Sequence, residues 1–366
     1  MAHGLEKGQI RMPASGIPED DQQVPSTHET PKGHRETAAR ESEIAPEFAE
    51  LADAAVFSER SRGTDAKIAS RADGDTLRAT FARYYSLTKP GVLYGNVLTA
   101  AAGFLLAAGV AGAFDVFLFL ATIVGTTFVI AAACVLNNVL DRDIDDRMER
   151  TKKRATVSGS ISVRNAVIFS IVLFVLGNAI LIAWTNWLVV VTGLAGFFTY
   201  VVLYGMLSKR MSVHGTLVGS ISGAAPIFAG YVAVTGAVDA AAILTFLAIF
   251  FWQMPEFYSI AVYRRDEYAR AGVPVITVVH GIPAAKIQIL LYTIAYVVAS
   301  VALTPLGYTG WVYAAVMGVL GVWWIVIGIQ GFSAKDDNAW ARRMFRFSLI
   351  IIMAYSLMIS IGALLP

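Results

Sequence analysis

Residues 116–154 read VFLFLATIVGTTFVIAAACVLNNVLDRDIDDRMERTKKR, an apolar run of 21 residues followed by 18 residues that hold five acids and six bases. A helix needs about 20 consecutive apolar residues to cross the hydrocarbon core of a bilayer. The charged segment from Asn137 to Arg154 then marks the point where the chain leaves the bilayer. This pattern predicts a transmembrane helix that ends in a strongly charged loop.

The composition of the chain is also typical of a membrane protein. Of its 366 residues, 56% are hydrophobic and 15% are charged, and its mean hydropathy is +0.59. The apolar residues come in blocks of about twenty, whereas a membrane β-barrel shows alternating segments of about ten. The predicted fold class is therefore all-α, a polytopic membrane protein. The single cysteine, Cys134, excludes an internal disulfide framework.

Nine transmembrane helices are predicted after Pro90, arranged as a bundle. The predicted spans are 91–111, 116–137, 165–184, 187–207, 216–236, 240–262, 286–308, 310–332 and 345–364. The connection at Thr185 and Asn186 is so short that the helices on either side must form an antiparallel hairpin.

Residues 1–80 differ from the rest of the chain. They are rich in Pro, Glu, Thr and Ser and poor in large apolar residues, so they cannot bury enough surface to offset the entropy of ordering. We therefore divide the chain into a disordered hydrophilic N-terminal tail, 1–80, and a membrane domain, 81–366. The tail lacks the features of a secretory signal or a mitochondrial transit peptide. Residues 76–87 are predicted to form an amphipathic segment on the membrane surface.

The loops predict the orientation. Lys and Arg lie almost entirely in the connections after spans 2, 4, 6 and 8, and none occurs after spans 1, 3, 5 and 7 or in the C-terminal tail. By the positive-inside rule, the basic loops and the N-terminus are cytoplasmic and the C-terminus is outside. This alternation requires an odd number of spans.

Asn137, Asp141 and Asp145 are spaced i, i+4 and i+8, which places them on one face of a helix. Carboxylates stacked at this spacing repel each other unless a cation lies between them. A cluster of oxygens without His or Cys suits Mg²⁺, which leaves coordination positions for substrate phosphate. A solvated helix end with mixed charges explains the spacing equally well.

A second acidic segment, AVYRRDEYARAGVP at 261–274, follows span 6 on the same side of the membrane. Asp266 and Glu267 are its acids, and Tyr263 lies one helical turn before Glu267. Two acidic loops that face each other across a cavity could hold two metal ions bridging one diphosphate. The alternative is a flank that follows the positive-inside rule, which the arginines of this segment fit.

Bases near the acids are candidates for binding an anionic substrate, and arginine can bind diphosphate oxygens bidentately. They are Lys89, Lys152, Lys153, Arg154, Lys209 and Arg210. Taken singly, each is better explained as a determinant of topology.

Polar residues inside the predicted spans are candidates for a substrate cavity, because such residues are costly in lipid. They are Asn96 in span 1 and Gln253 and Glu256 in span 6. An interhelical hydrogen bond explains Gln253 as well as a substrate contact does. Glu256 needs a partner, a proton or water. The segment GSISGAAPIFAGY, 219–231, is dense in small residues and predicts close helix packing.

At these residues the chain resembles the UbiA-type family of intramembrane prenyltransferases, and within it the branch that farnesylates haem. Asn137, Asp141 and Asp145 carry the N-x-x-x-D-x-x-x-D pattern. The segments KRMSVHGTLVGSISGAAPIFAGYVAVTG, WQMPEFYSIAVYRRDEYARAGVPV and WARRMFRFSL are similar to that branch. The similarity covers residues 83–364 and leaves the N-terminal tail outside.

The resemblance implies nine helices around a central cavity and an Mg²⁺-dependent transfer of farnesyl from farnesyl diphosphate to the 2-vinyl group of haem B, giving haem O for terminal oxidases. Asp141 and Asp145 would hold the first of one or two Mg²⁺ ions, and Tyr263, Asp266 and Glu267 would complete the site. Haem B is then a substrate and not a resident cofactor. The resemblance also implies the bacterial inner membrane, lipid as a partner, contact with haem A synthase or terminal-oxidase assembly, and no nucleic acid.

Two positions depart from the family pattern. The wider family often has two acids four residues apart in the second motif, where this chain has Tyr263 and Glu267. The branch pattern W-Q-x-P-H-F has His where this chain has Glu256, so a haem contact or a proton transfer at that position differs here.

Two other functions stay open at this point. A family member with an aromatic or quinone-precursor acceptor would keep the reaction class. A membrane transporter or a non-catalytic haem-binding subunit belongs to a different class. Transporters carry internal repeats and charges deep within spans, whereas the acids here cluster at helix ends. A structural haem needs axial ligands, and the membrane region holds only His214 and His280, both near helix ends.

Overall fold

The computed structural model describes residues 77–366, so residues 1–76 of the predicted tail lie outside the described part of the chain. The first helix, Leu77–Leu87 (α1), begins four residues before the predicted domain boundary. Leu77, Phe81 and Tyr85 lie one turn apart along α1 and are exposed, which gives this helix an apolar face. Every regular element within residues 77–366 is helical, in agreement with the predicted fold class.

Nine helices in the described part of the chain are long and apolar enough to cross a membrane, as predicted. They are Pro90–Ala111 (α2), Val116–Leu140 (α3), Val163–Trp184 (α5), Trp187–Met211 (α6), Gly215–Thr235 (α7), Ala240–Tyr263 (α8), Gly281–Val301 (α11), Trp311–Ser333 (α12) and Asp337–Gly362 (α13). Three short helices lie in the charged loops: Arg142–Asp146 (α4), Arg265–Ala271 (α9) and Ile276–Val279 (α10).

Polar side chains fix where several spans begin. Asp115, Asn186 and Asp239 each accept a hydrogen bond from a backbone N–H in the first turn of the helix that follows. Such caps satisfy N–H groups that have no partner within the helix. Asn186 also closes the predicted hairpin, because α5 ends at Trp184 and α6 begins at Trp187.

Two spans begin earlier than predicted. Helix α13 starts at Asp337 and not at residue 345, because the Asp336 carboxylate accepts the N–H groups of Asn338 and Ala339 and the charged first turns stay helical. Hydropathy alone assigns such charged turns to loops. Helix α11 starts at Gly281 and not at residue 286, and its proline, Pro283, lies in the first turn, where a missing N–H costs no helical hydrogen bond.

The spans pack as a closed bundle. Each span contacts its neighbour in chain order, and the bundle closes where α13 packs against α2. Helix α2 also packs extensively against α7.

Glycines allow α2 and α7 to approach closely. A methyl group at Gly103 in α2 would overlap the carbonyl oxygen of Ile227, and one at Gly230 in α7 would overlap that of Ala100. Small residues permit this kind of backbone contact between membrane helices. The close packing predicted for the segment 219–231 is therefore present.

Aromatic side chains fill the half of the bundle formed by α8, α11, α12 and α13. Tyr296, Trp324 and Tyr355 are fully buried, with ring centroids 5.7 and 6.0 Å from Tyr296 to the other two. Tyr313 is also fully buried and donates to the Ser300 carbonyl at 3.0 Å. The open space of the bundle lies mainly among α2, α3, α6, α7 and α8.

We expect Gly230→Ala to destabilise the protein by about 1–3 kcal/mol, because the added methyl group collides with the Ala100 backbone in a packed interior. Thermal unfolding of the detergent-solubilised protein measures the change. Gly318→Ala in α12 is the matched control, since a methyl group there meets no atom within 4 Å. Equal stability of the two variants would show that the α2–α7 contact is looser than described.

Candidate active site

A cavity of about 1820 Å³ lies between α2, α3, α6, α7 and α8, and residues of α13 complete its wall. Its charged end is lined by α1 and the loop after α4, and its deeper wall is apolar, with Ile130, Phe197, Ile249 and Ile352 among the lining residues. A typical small-molecule site has roughly 300–1,000 Å³. The cavity therefore has room for two large substrates.

Asn137, Asp141 and Asp145 lie together at the charged end of the cavity, as their spacing predicts. Helices α3 and α4 follow each other with almost no break, because the Asp141 N–H donates to the Asn137 carbonyl and the Asp145 N–H to the Asp141 carbonyl. The three side chains are 1–3% exposed. This burial argues against the alternative of a solvated helix end.

Each of these three side chains binds a base from a different segment. Lys209 lies 2.5 Å from Asp141, and Arg154 lies 2.5 Å from Asp145. Asn137 accepts a hydrogen bond from Lys89. Three cations therefore face two carboxylates, and the cluster carries a net positive charge that suits an anionic ligand.

Lys89 reaches Asn137 from an unusual backbone conformation. Its φ of 52° lies in the left-handed region, and it is the one non-glycine residue among the described residues with a positive φ. Such backbone strain persists where the surroundings over-determine it, often at functional sites. Asn138 anchors the preceding helix by donating to the Leu87 carbonyl at 2.8 Å. Burial and, to a lesser extent, the Arg154 charge lower the pKa of Lys89 to about 8.

The loop that carries Arg154 is tied back onto α3 and α4. Thr151 donates to the Asp145 carbonyl at 3.0 Å, and Thr156 donates to the Asn138 carbonyl at 3.2 Å. These bonds hold Arg154 over the carboxylates. Lys153, on the same loop, is exposed at the rim of the cavity.

Lys209 follows a π-helical segment, Thr199–Ser208, inside α6. Segments of this kind are rare and frequently occur at functional sites. Two tyrosines of the segment, Tyr200 and Tyr204, line the cavity, and the Lys209 ammonium lies 5.8 Å from the Tyr204 ring centre. Sequence reasoning missed both, although their i, i+4 spacing within an apolar span is a signal that could have pointed to them.

The polar residues predicted within the spans all line the cavity. Asn96 donates to the carbonyl of Val92 in its own helix at 2.8 Å. Gln253 donates to the Ser220 carbonyl of α7 at 3.1 Å, so it has both the interhelical bond and the position on the cavity wall. Glu256 is 2% exposed.

The second acidic motif does not reach this cavity. Tyr263, Asp266 and Glu267 line a separate polar cleft of about 530 Å³. Glu267 pairs with Arg264 at 3.2 Å, and Asp266 is exposed. Tyr268 is the residue of helix α9 that lines the main cavity, and burial raises the pKa of its phenol.

Arg210 also lies outside the residues that line the cavity. It binds the two carboxylate oxygens of Asp143 at 2.6 and 2.7 Å and donates to the Leu140 carbonyl at 2.5 Å. The hydrogen bond from Arg210 lowers the pKa of Asp143 to about 2. Arg210 therefore joins the end of α6 to α4, and the geometry does not bring it to the predicted diphosphate site.

A comparison with known families identifies the chain. The model of the UbiA prenyltransferase family matches residues 96–350, more than half of the chain. The chain belongs to this family. The matched range includes Asn137, Asp141 and Asp145 at the charged end of the cavity.

Curated members of the UbiA family show high similarity. Protoheme IX farnesyltransferase 2 of Pseudomonas fluorescens is 45% identical over 283 residues, which are 77% of this chain and 95% of the relative. Protoheme IX farnesyltransferase 2 of Chromobacterium violaceum is 46% identical, over 78% of this chain and 94% of the relative. Protoheme IX farnesyltransferase of Salmonella typhimurium is 44% identical, over 78% and 96%.

Solved structures share the UbiA fold. A digeranylgeranylglyceryl phosphate synthase matches with a TM-score of 0.66 at 18% identity, over 77% of this chain and 98% of the other. A UbiA homologue from Archaeoglobus fulgidus bound to GPP and Mg²⁺ matches with a TM-score of 0.53 at 17% identity, over 76% and 99%. At these identities the likeness concerns the helical bundle alone.

We expect Lys209→Met to destabilise the protein by about 3–5 kcal/mol in metal-free detergent solution, because it leaves the buried Asp141 carboxylate without its cation. The double variant Lys209→Met/Asp141→Asn should recover most of this loss, since no buried charge remains unpaired. Thermal unfolding measures both changes.

Lys152→Met is the control for this experiment. It removes a pair with Glu149 in which the side chains are 43% and 83% exposed. Exposed pairs contribute about 0–1 kcal/mol, so its effect should be small. A loss of stability in Lys152→Met as large as that in Lys209→Met would show that burial of the ion pair does not determine its effect on stability.

Proposed function

We propose that this chain transfers the farnesyl group of farnesyl diphosphate to the 2-vinyl group of haem B, giving haem O and diphosphate. The observation that carries the proposal is the identity of 44–46%, over more than three quarters of the chain, to proteins named protoheme IX farnesyltransferase. The cavity supports it, because its charged end continues into an apolar wall. Farnesyl diphosphate has the same division into an anionic head and an apolar tail.

The donor set at the charged end fits Mg²⁺, the ion bound to the homologue from Archaeoglobus fulgidus. Asp141 and Asp145 would hold it, since carboxylate oxygens suit this ion. Oδ1 of Asp141 is buried without a hydrogen-bond partner among residues 77–366, so it is available to a ligand. When bound, the metal would draw charge off the leaving diphosphate.

We propose one ion at Asp141 and Asp145. The described residues contain no group of three or more His, Cys, Asp or Glu side chains that could hold a metal by themselves. Substrate oxygens and water would therefore complete the coordination at Asp141 and Asp145. Asp266 and Glu267 lie in the separate cleft, so we do not include them in this site.

The bases of the cluster are suited to hold the diphosphate. Lys209 and Arg154 neutralise Asp141 and Asp145 in the free protein, and Lys89 binds Asn137. Donors already placed around the site stabilise charge that develops on a leaving group without further reorganisation. The protein needs no covalent nucleophile, because it supplies position and charge.

We place the charged end of the cavity on the cytoplasmic side of the bacterial inner membrane, with the N-terminus inside and the C-terminus outside. The positive-inside rule supports this orientation, because the loops after α3, α6, α8 and α12 carry the bases. Contact with haem A synthase or with terminal-oxidase assembly stays a prediction.

Membranes that contain the chain should form haem O from haem B, farnesyl diphosphate and Mg²⁺, detected by mass after extraction. Asp141→Asn should lower turnover by about 100-fold or more, since it removes a charge that acts on the leaving group. Asp143→Asn in the adjacent α4 is the matched control, because its carboxylate is 54% exposed and bound to Arg210. Its turnover should stay close to wild type.

Three results would reject parts of this proposal. Full turnover in excess chelator would show that the reaction needs no metal ion. Product formed only with a phenolic acceptor would show that haem is not the acceptor. Equal activity of Asp141→Asn and wild type would show that the diphosphate site does not depend on Asp141.

Asp266→Asn tests whether the second motif contributes a metal ligand. We expect activity near that of wild type, because Asp266 is exposed and lies outside the cavity. Turnover as a function of Mg²⁺ concentration is the measurement. A loss as large as that of Asp141→Asn, reversed by high Mg²⁺, would show that α9 closes onto the site when substrate binds.

A further inference from the structure

Glu256 is a buried carboxyl group in the wall of the cavity. It lies in α8, where its side chain is 2% exposed, and it lines the same cavity as Asp141. Within residues 77–366 it makes no hydrogen bond or ion pair. Asp141 and Asp145 differ from it, because each of them binds a base.

Contacts on two sides hold α8 in place around this carboxyl group. Trp252 donates to the Ser348 carbonyl of α13 at 2.9 Å, and Gln253 donates to the Ser220 carbonyl of α7 at 3.1 Å. Both bonds come from the turn before Glu256, so the backbone that carries it is fixed against both neighbours. The Glu256 side chain is therefore presented to the cavity by a rigid helix.

An unpaired carboxylate in a medium of low dielectric constant favours a positive charge beside it. It also needs a proton, a water molecule or a cation to offset its own burial. Glu256 is thus matched to a reaction in which a cation forms within the cavity and a proton is released there.

The proposed reaction requires such a step. Departure of diphosphate breaks the C1–O bond of the farnesyl group and takes the electron pair. The terminal vinyl carbon of haem then bonds to C1, which leaves a cation on the vinyl carbon attached to the porphyrin ring. The oxygen of a water molecule bonds to that carbon, and one proton must leave the water. No atom is oxidised or reduced by an external agent.

We propose that Glu256 accepts this proton, an inference that rests on the proposed function. Its carboxylate binds the attacking water and receives the proton as the new O–C bond forms, which gives the hydroxyl group of haem O and a neutral Glu256. The neutral side chain then passes the proton to water in the cavity. Without a base that holds the water, the cation instead loses a proton from the neighbouring carbon and gives an alkene lighter than haem O by one water.

The ratio of haem O to this alkene, measured by mass in the product assay, tests the inference. In Glu256→Gln the ratio should fall at least about tenfold, because general base catalysis typically contributes roughly 10²–10⁴-fold. Glu256→Asp and Glu256→His should restore much of the ratio, since both keep a group that accepts a proton. The ratio does not depend on the amount of folded enzyme.

Asp239→Asn is the matched control, because it makes the same carboxyl-to-amide change at the other end of α8, where asparagine caps a helix equally well. It should leave the ratio unchanged. If wild type makes haem O and Glu256→Gln makes it in the same ratio, released diphosphate or free water accepts the proton and the inference is overturned. If wild type makes no haem O, the proposed function fails and this inference fails with it.

Discussion

The site depends on the burial of two carboxylates at the point where a helix leaves the bilayer. The effective penalty for burying one ion is several kcal/mol, so Asp141 and Asp145 cannot be buried unless cations compensate them. The chain provides Lys209 from the end of α6 and Arg154 from the loop after α4. Lys89 joins the same cluster through Asn137. One electrostatic requirement thereby brings together segments that are distant in sequence.

The same contacts serve the structure of the free protein and the proposed chemistry. Without ligand, the bases neutralise the carboxylates and hold the loop and the helix ends in place. With a metal–diphosphate complex, each carboxylate would keep a cation and each base would keep an anion. Each buried charge therefore has a partner in both states, so the site can bind a highly charged ligand without leaving a buried charge uncompensated.

The sequence predicted the spans and the first acidic motif because both depend on short-range order. Hydropathy over twenty residues sets a span, and a spacing of four residues sets a helix face. The pairing of Lys209 with Asp141 joins residues 68 positions apart, so nothing local predicts it. Tyr200 and Tyr204 were not predicted as cavity residues, because aromatic side chains in an apolar span usually pack against neighbouring helices. The start of α13 was missed because capping by Asp336 outweighs the hydropathy of its charged turns.

The second acidic motif shows that similarity of sequence does not by itself determine which side chains line a cavity. The segment after α8 is helical and close to the cavity, but a helix turns by about 100° per residue. Tyr268 is therefore on the cavity side, while Glu267 pairs with Arg264. A motif identifies the helix, and packing determines which face of that helix lines the cavity.

The π-helical segment before Lys209 fixes the direction in which this side chain points. A π-helix closes each hydrogen bond over one residue more than an α-helix does, so it turns less per residue. If Thr199–Ser208 became an ordinary α-helix of the same length, the residues after it would rotate relative to those before it. Lys209 would then turn away from Asp141 although every functional side chain was still encoded. The winding of the backbone in this segment is therefore as necessary to the charged cluster as the lysine that follows it.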